Sequence, residues 1–159
     1  MQLNNKSINM LRQLKPLAMI TSALMLGACS TGGNTDAKII DKPDFTSPDG
    51  QYTIAALEAL GRVSAPSVSP DGKKLLYGVS YESVEENKSN LDLYVTDIDG
   101  TDTQRITRTA DSENGAVWMA NGEKIAFISP VDGKPQLWVM NADGSGRKAV
   151  SNVEGGIQG

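Results

Sequence analysis

The chain has 159 residues, with 15 Lys plus Arg, 19 Asp plus Glu, a single Cys and no His. The absence of His excludes His-dependent catalytic triads and imidazole metal sites. The single Cys excludes an internal disulfide, a C-x-x-C redox pair and a thiolate zinc cluster. The net charge of −4 argues against nucleic acid as a partner, because phosphate contacts need a surplus of Lys and Arg. We therefore expect no metal, no cofactor and no nucleic-acid partner.

The first 28 residues have the layout of a secretory signal. They contain three basic residues and no acidic residue, and an apolar run occupies positions 16–26. A membrane-spanning helix needs roughly 20 apolar residues, so this run is too short to cross a bilayer. A basic start, a short apolar run and small residues are together typical of a signal peptide. The sequence predicts a signal peptide over residues 1–28.

The end of this signal, LGACS at positions 26–30, resembles the bacterial lipobox, in which small residues precede an obligatory Cys. The resemblance implies cleavage by signal peptidase II between Ala28 and Cys29, followed by lipidation of Cys29. Attachment through two or more acyl chains is stable, whereas one chain is marginal. An ordinary signal peptide, with Cys29 uninvolved, is the alternative. We expect a lipid-anchored protein of the bacterial cell envelope, at the outer membrane or periplasmic face, that contacts the membrane through Cys29.

The segment after the signal predicts a tether and then a short helix. Residues 29–51 hold the lipidated Cys and a small, polar, proline-containing stretch typical of a flexible or extended linker. Residues 52–64 form a lead-in in which Ile54, Leu57 and Leu60 fall on one side of a helix. We predict that this helix has a packing role and that the following glycine caps its end.

From residue 65 onward the sequence repeats. The segment SPDGKKLLY at 69–77 is matched 50 residues later by MANGEKIAF at 119–127. LYVTDIDG at 93–100 recurs 44 residues later as LWVMNADG at 137–144, with four of eight positions identical. The first unit therefore has about six extra residues, which we place in a loop at 82–90.

Each repeat predicts four short strands separated by tight turns. SPDG at 69–72 suits a type I turn, and the Asp-Gly pairs at 99–100 and 143–144 suit hairpin turns. The predicted strands lie at 65–68, 74–80, 91–97, 104–107, 115–119, 124–129, 136–140 and 147–150. Four-stranded units with a period near 45 and nearly continuous apolar strands are typical of propeller blades.

The predicted fold is therefore all-β, an incomplete β-propeller of two four-stranded blades. Blade 1 covers residues 65–110, blade 2 covers 111–151, and 152–159 begin a third blade. Two blades do not close a ring, which typically needs about four to eight. We expect a truncated N-terminal fragment of a larger protein, or alternatively a two-blade chain that closes by oligomerising.

The segments SPDGKKLLY, DLYV at 92–95 and the following Asp-Gly turn resemble a propeller repeat shared by two groups. One is the prolyl oligopeptidase family of serine peptidases, and the other is the Tol-type periplasmic propellers. LGRVSAP at 60–66 and the stretch 81–94 resemble the start of a secreted dipeptidyl or acylaminoacyl peptidase of the first group. That resemblance implies a propeller that controls substrate access, followed by a hydrolase domain with a Ser nucleophile in G-x-S-x-G, then Asp and His.

Neither a His nor a G-x-S-x-G motif occurs in the 159 residues, so no catalytic residue is predicted here. The first hypothesis is the propeller of a lipid-anchored serine exopeptidase that acts on oligopeptides. The alternative is a Tol-like periplasmic binding or scaffold lipoprotein without enzymatic activity. In the first case peptide substrates are the expected partners of the whole protein.

Two acidic groups are candidate sites. Glu85 and Glu86, next to Glu82, are candidates for pairing with a substrate amine, and a solvated loop is the alternative. Asp97, Asp99 and Asp102 suggest calcium, but the EF-hand spacing of Gly and Glu is missing. We therefore assign these three to hairpin chemistry.

The aromatic residues recur at matching positions of the two repeats. We predict that they form core between the blades and are not a stacking platform for a ligand. The residues are Tyr77, Tyr94, Trp118, Phe127 and Trp138.

Overall fold

The structure, a computed structural model, describes residues 38–46 and 49–157. The predicted signal peptide, its cleavage site at Ala28 and Cys29, and much of the tether lie outside the described residues. The described part contains one short helix and eight strands in two sheets. No helix within it is long and apolar enough to cross a membrane.

The first sheet, blade 1, has four antiparallel strands in the order β1-β2-β3-β4. Its strands are β1 Arg62–Val68, β2 Lys74–Ser83, β3 Lys88–Asp97 and β4 Gln104–Arg105. β1 thus begins inside the segment predicted as a lead-in.

The second sheet, blade 2, repeats this arrangement in the order β5-β6-β7-β8. Its strands are β5 Asn114–Trp118, β6 Lys124–Val131, β7 Lys134–Asn141 and β8 Lys148–Ala149. The prediction of an all-β fold with two four-stranded propeller blades is confirmed.

The predicted turns occur at equivalent places in the two blades. The Gly72 N–H donates to the Ser69 carbonyl at 2.9 Å, and the Gly122 N–H donates to the Met119 carbonyl at the same distance. Hairpin glycines at 100 and 144 have φ values of 86° and 85°, in the left-handed region that glycine adopts without a Cβ penalty. Local sequence therefore determines where each strand ends.

The long hairpin of blade 1 differs from the prediction. β2 and β3 stay paired to Ser83 and Lys88, and the turn at 84–87 closes with Asn87 at φ 48°. The extra residues of the first repeat therefore lengthen a β-hairpin, and the predicted loop over 82–90 is wrong. Continued pairing satisfies the backbone N–H and C=O groups that a loop would leave to water.

The helix α1, Ile54–Glu58, is present but does not pack as predicted. The Thr53 side chain caps it by accepting from the Ala56 N–H at 3.2 Å. Ala56 is its buried residue, whereas Ile54, Leu57 and Leu60 are more than half exposed. The packing role of the apolar stripe is therefore wrong. The predicted glycine cap is also absent, because the helix ends at Ala59 in an αR conformation.

The hydrophobic core lies between the two blades. Trp118 Nε1 also joins them by donating to the Ser67 carbonyl at 3.0 Å. The core consists of Leu76, Leu93, Val95, Ile106, Ala116, Ile125, Phe127 and Met140, with Leu91, Trp118 and Trp138 packed against it.

The aromatic prediction holds in blade 2 and fails in blade 1. Phe127 is buried in the inter-blade core, with Trp138 stacked on it at 6.4 Å between ring centroids. The equivalent pair Tyr77 and Tyr94 stacks at 5.7 Å on the opposite face of blade 1, where it remains half-buried. Side chains alternate between the faces of a strand, so these tyrosines point away from Leu76 and the core.

Candidate functional site

The N-terminal strap, residues 38–46, lies against blade 1 without forming a helix or strand. Ile40 is its single buried side chain, at 8% exposure. The Ile40 carbonyl accepts from Arg105 Nη2 at 3.3 Å. The strap is therefore held by one apolar side chain and by side-chain contacts, not by a backbone ladder.

The strap, α1 and the β2–β3 turn together enclose a cleft of about 350 Å³. Its apolar lining includes Ile39, Pro43 and Phe45. The segment 82–86, which spans the end of β2 and the turn, supplies three Glu residues to the lining. A cleft lined by apolar groups and several carboxylates suits a ligand with an ammonium group and an apolar side chain.

The candidate residues Glu85 and Glu86 line this cleft and converge on one cation. Lys38 Nζ lies 3.2 Å from Glu85 Oε2 and 3.3 Å from Glu86 Oε1. Hydrogen bonds from Lys38 to Glu85 and then Glu86 raise the pKa of the lysine ammonium. The neighbouring Glu82 pairs instead with Arg62. The pair therefore already holds an ammonium, supplied by the strap.

A buried polar centre lies on the face of blade 1 that carries the tyrosines. The Asp92 side chain is 2% exposed, and Arg105 Nη2 donates to its Oδ2 at 2.6 Å. Asn90 Nδ2 donates to the same oxygen at 3.1 Å, and Thr107 Oγ1 donates to Oδ1 at 3.4 Å. Burial raises the pKa of Asp92, and the adjacent guanidinium of Arg105 opposes this effect.

The strap contributes a second carboxylate to this centre. Asp41 Oδ1 accepts from Arg105 Nη1 and, at 3.2 Å, from Arg108 Nε. Arg108 Nη2 donates to Asp41 Oδ2 at 2.6 Å. These hydrogen bonds, from Arg108 first and then Arg105, lower the pKa of Asp41 to about 2. Asp41 is thus bound as a carboxylate between two guanidinium groups.

A third ionic contact joins the linker between the blades to blade 2. The Glu113 side chain is fully buried, with Arg147 Nη1 2.9 Å from its Oε1 and Thr109 Oγ1 donating to the same atom at 2.8 Å. Its Oε2 has no hydrogen-bond partner among the described residues, and burial raises the pKa of Glu113. The Arg147 guanidinium stacks over Phe127 and Trp138, 5.2 and 4.7 Å from the ring centroids. This contact fixes the linker that precedes β5 against blade 2.

The three aspartates near the first hairpin have local partners. Lys74 Nζ donates to Asp97 at 2.8 Å, and the Thr101 N–H donates to Asp99 at 3.0 Å. Asp102 accepts from a glutamine side chain. No group of three or more acidic or Cys residues in the described part of the chain is placed to hold a metal ion. The contacts are those of hairpin turns, as we assigned them.

Sequence reasoning missed the residues of both buried ionic centres. Asp92 carries one usable signal, since it is a lone charge in the otherwise apolar run LDLYV. Its partners Arg105 and Asp41 lie 13 and 51 residues away, and no local pattern links them. Glu113 lies in a polar linker, where a buried side chain is unexpected.

Comparisons with known proteins agree with the propeller architecture. The sequence model of the TolB beta propeller domain matches residues 40–158. Dipeptidyl-peptidase 5 of Porphyromonas gingivalis is 48% identical over 114 residues, covering 72% of this chain and 17% of that protein. Dipeptidyl-peptidase 5 of Porphyromonas endodontalis is 30% identical over 114 residues, covering 72% and 16%. The chain thus spans about a sixth of the length of these relatives.

A Tol protein and a solved peptidase are also similar. The Tol-Pal system protein TolB of Chromobacterium violaceum is 29% identical over 84 residues, covering 53% of this chain and 20% of that protein. The structure of Pyrococcus horikoshii acylaminoacyl peptidase superposes with a TM-score of 0.51 at 17% identity, covering 62% of this chain and 15% of that chain. At this identity the structural likeness establishes the fold alone.

Proposed function

Because the chain belongs to the TolB beta propeller domain family, we propose that it is the N-terminal propeller portion of a lipid-anchored serine exopeptidase of the bacterial cell envelope. The observation that carries this proposal is the 48% identity to dipeptidyl-peptidase 5 of Porphyromonas gingivalis over 114 residues. The proposed protein removes dipeptides or acylated amino acids from oligopeptides. The propeller restricts access to the hydrolytic centre.

In this proposal the Ser nucleophile and its base belong to a part of the protein outside the 159 residues, which contain no His. The contribution of the propeller is binding and exclusion. Bulky folded proteins do not pass a ring of packed blades, whereas extended oligopeptides do. The activity of the whole protein therefore depends on the blades even though they supply no reacting group.

Glu85 and Glu86 are the proposed contacts for the free N-terminus of a peptide. They converge on the ammonium of Lys38, which has the charge and hydrogen-bonding capacity of a peptide N-terminus. An incoming peptide would displace Lys38 and place its first side chain against the apolar wall of the cleft. The exchange conserves charge, because one ammonium replaces another.

The test uses the full-length protein encoded by the gene. We expect it to hydrolyse dipeptidyl-methylcoumarylamides and to be labelled by a fluorophosphonate probe. Glu85→Gln/Glu86→Gln is expected to raise KM about tenfold with kcat unchanged, because a uniform binding contact is lost. Glu154→Gln, in the segment after β8 and away from the cleft, is the control and keeps the parent KM. An unchanged KM in the double variant rejects the substrate contact, and absent hydrolysis and labelling reject the peptidase.

Lipid attachment at Cys29 is a separate part of the proposal. The support is the lipobox-like LGACS at positions 26–30 after a short apolar run. Cells grown with radioactive palmitate should label the wild-type protein and not Cys29→Ala. Label in the variant would show that Cys29 is not the acceptor.

A Tol-like binding protein is the second candidate. The family model and the 29% identity to TolB of Chromobacterium violaceum favour it. In this case the full-length protein binds a partner through its ring and has no hydrolase activity. Fluorophosphonate labelling distinguishes the two candidates, since only the peptidase carries an activated Ser.

A further inference from the structure

The contact between the strap and blade 1 has the form of peptide recognition. Arg105 uses both terminal nitrogens: Nη2 donates to the Ile40 carbonyl at 3.3 Å, and Nη1 donates to the Asp41 carboxylate. Arg108 donates to both oxygens of the same carboxylate. The side chain of Ile40 is buried at 8% exposure. A dipeptide, apolar and then acidic, is thus bound through its buried first side chain, its first carbonyl and its carboxylate.

The blade side of this contact is organised independently of the strap. Asp92 fixes the Arg105 guanidinium from beneath at 2.6 Å, and Asn90 and Thr107 in turn fix Asp92. A guanidinium held in this way presents a rigid fork to a carboxylate. The receptor would therefore keep its shape without its present occupant.

The strap itself is weakly held. Asp41 and Arg108 are 46% and 64% exposed, and ion pairs of that exposure contribute at most about 1 kcal/mol. No ladder of backbone hydrogen bonds attaches residues 38–46 to β4. Ile40 is the one buried anchor. An external peptide with the same two features can therefore compete for the site.

We propose that Arg105 and Arg108 form a carboxylate-binding site on blade 1 for an extended peptide segment with an apolar residue followed by Asp or Glu, and that Ile40 and Asp41 are its internal occupant. Arg105 and Arg108 do not line the cleft that contains Glu85 and Glu86, although their occupant, Ile40 and Asp41, forms part of its wall. Because the strap is covalently attached, its effective concentration is high and lowers the apparent affinity of any external peptide. Weakening the strap should therefore reveal the site.

The experiment uses the full 159-residue chain in a non-ionic detergent and a fluorescein-labelled peptide of sequence KIIDKPDF, which copies residues 38–45. Fluorescence anisotropy gives the Kd for wild type and for Asp41→Asn. We expect Asp41→Asn to bind the peptide about threefold to fivefold more tightly than wild type, the factor that a partly exposed ion pair allows. Asp44→Asn is the matched control, since it removes the same charge from the strap but no ion pair with Arg105 or Arg108 among the described contacts.

Two further variants make the test specific for the carboxylate. The peptide KIINKPDF should bind Asp41→Asn about threefold to fivefold more weakly, and so should KIIDKPDF when Arg108→Gln is added to that protein. Arg108 is exposed, so its loss leaves the fold intact, whereas loss of Arg105 would strand the buried Asp92. Equal affinity of wild type and Asp41→Asn, or equal affinity for the two peptides, overturns the proposal. Wild-type dimers that exchange straps, without peptide binding by Asp41→Asn, also overturn it.

Discussion

The two blades have different buried polar residues at the same position of the repeat, and these residues find different hydrogen-bond partners. Residue 92 of blade 1 corresponds to residue 136 of blade 2 through the 44-residue offset. Gln136 is buried as a neutral amide whose Oε1 accepts from Ser151 Oγ at 2.7 Å and from the Val153 N–H at 2.9 Å. Its Nε2 donates to the Val153 carbonyl at 2.8 Å, so the amide is satisfied by the segment that follows β8.

In blade 1 the same position is a carboxylate and needs a cation. Arg105 supplies it from the position opposite Tyr94, where blade 2 has Ala149 opposite Trp138. Arg105 donates to Asp92 through Nη2, and its Nη1 donates to a second carboxylate, that of Asp41 in the strap. One amide-to-carboxylate difference therefore accounts for a salt-bridge network and for the attachment of the N-terminal segment in blade 1.

The aromatic pairs of the two blades differ in coverage, and this difference gives the largest expected effect. Phe127 is 1% exposed and packs against blade 1, whereas Tyr77, its equivalent, is half-buried on the face of blade 1 that points away from the inter-blade core. Phe127→Ala should lower the free energy of unfolding by about 4 kcal/mol, since it leaves a cavity and removes the ring under Arg147. Tyr77→Ala should cost less than half of this. Urea denaturation measures both, and equal costs would contradict the placement of Phe127 inside the inter-blade core and of Tyr77 outside it.

The second prediction replaces Asp92 and Arg105 of blade 1 by the residue types found at the equivalent positions of blade 2. Arg105→Ala should cost about 3 kcal/mol, because it leaves the buried Asp92 without its cation. The double variant Asp92→Gln/Arg105→Ala copies Gln136 and Ala149 of blade 2 and should recover to within about 1 kcal/mol of wild type. Arg108→Ala, at an exposed position, is the control and should cost under about 1 kcal/mol. A double variant as unstable as Arg105→Ala would show that the two blades are not equivalent here.

Two hairpin glycines with nearly the same backbone conformation test how closely the turn of blade 2 approaches blade 1. Gly100 and Gly144 have φ values of 86° and 85°, so an Ala at either position is strained by about 1 kcal/mol. A Cβ on Gly144 would lie 2.3 Å from the Ile106 carbonyl oxygen, whereas a Cβ on Gly100 meets no atom within 4 Å. Gly144→Ala should therefore cost about 2 kcal/mol more than Gly100→Ala, because the turn of blade 2 must move away from blade 1. Thermal unfolding gives the difference, and a similar Tm for both would refute the close approach.

The strap gives the smallest effect and a pH dependence. Asp41→Asn should cost under about 1 kcal/mol at neutral pH, because the ion pair is partly exposed. The pKa of Asp41 is lowered from 3.8 to about 2, so its contribution is present above the ordinary pKa and is lost as the pH falls towards 2. The stability difference between wild type and Asp41→Asn should therefore shrink as the pH falls below 4 and be lost once the pH is well below 2.

The buried carboxyls respond in the opposite direction. The pKa values of Asp92 and Glu113 are raised, so their contribution is present at low pH and is lost as the pH rises through the raised values. Wild type and Asp41→Asn both contain Asp92 and Glu113, so the contributions of these two groups cancel in the stability difference between the two proteins. A difference that does not change between pH 6 and pH 2 would show that Asp41 is not bound as a carboxylate.

Much of the blade architecture was predictable because its signals are local. The Asp-Gly and Asn-Gly turns and the apolar strands recur at fixed spacing, and each requires only neighbouring residues. The amphipathic stripe Ile54, Leu57, Leu60 also indicated a helix correctly. Its packing role failed because a stripe does not specify a partner, and the helix rests on Ala56 instead.

The sequence by itself determined the strands, the turns, the repeat and the identity of the blades, since backbone conformation depends on contiguous residues. Only the tertiary structure decided which sheet face is covered, and hence why Phe127 is core and Tyr77 is not. It also decided that Asp92, Arg105 and Asp41 meet. Contacts between residues far apart in sequence depend on how whole elements are placed, and the cost of burying a charge then selects the partners that remain within reach.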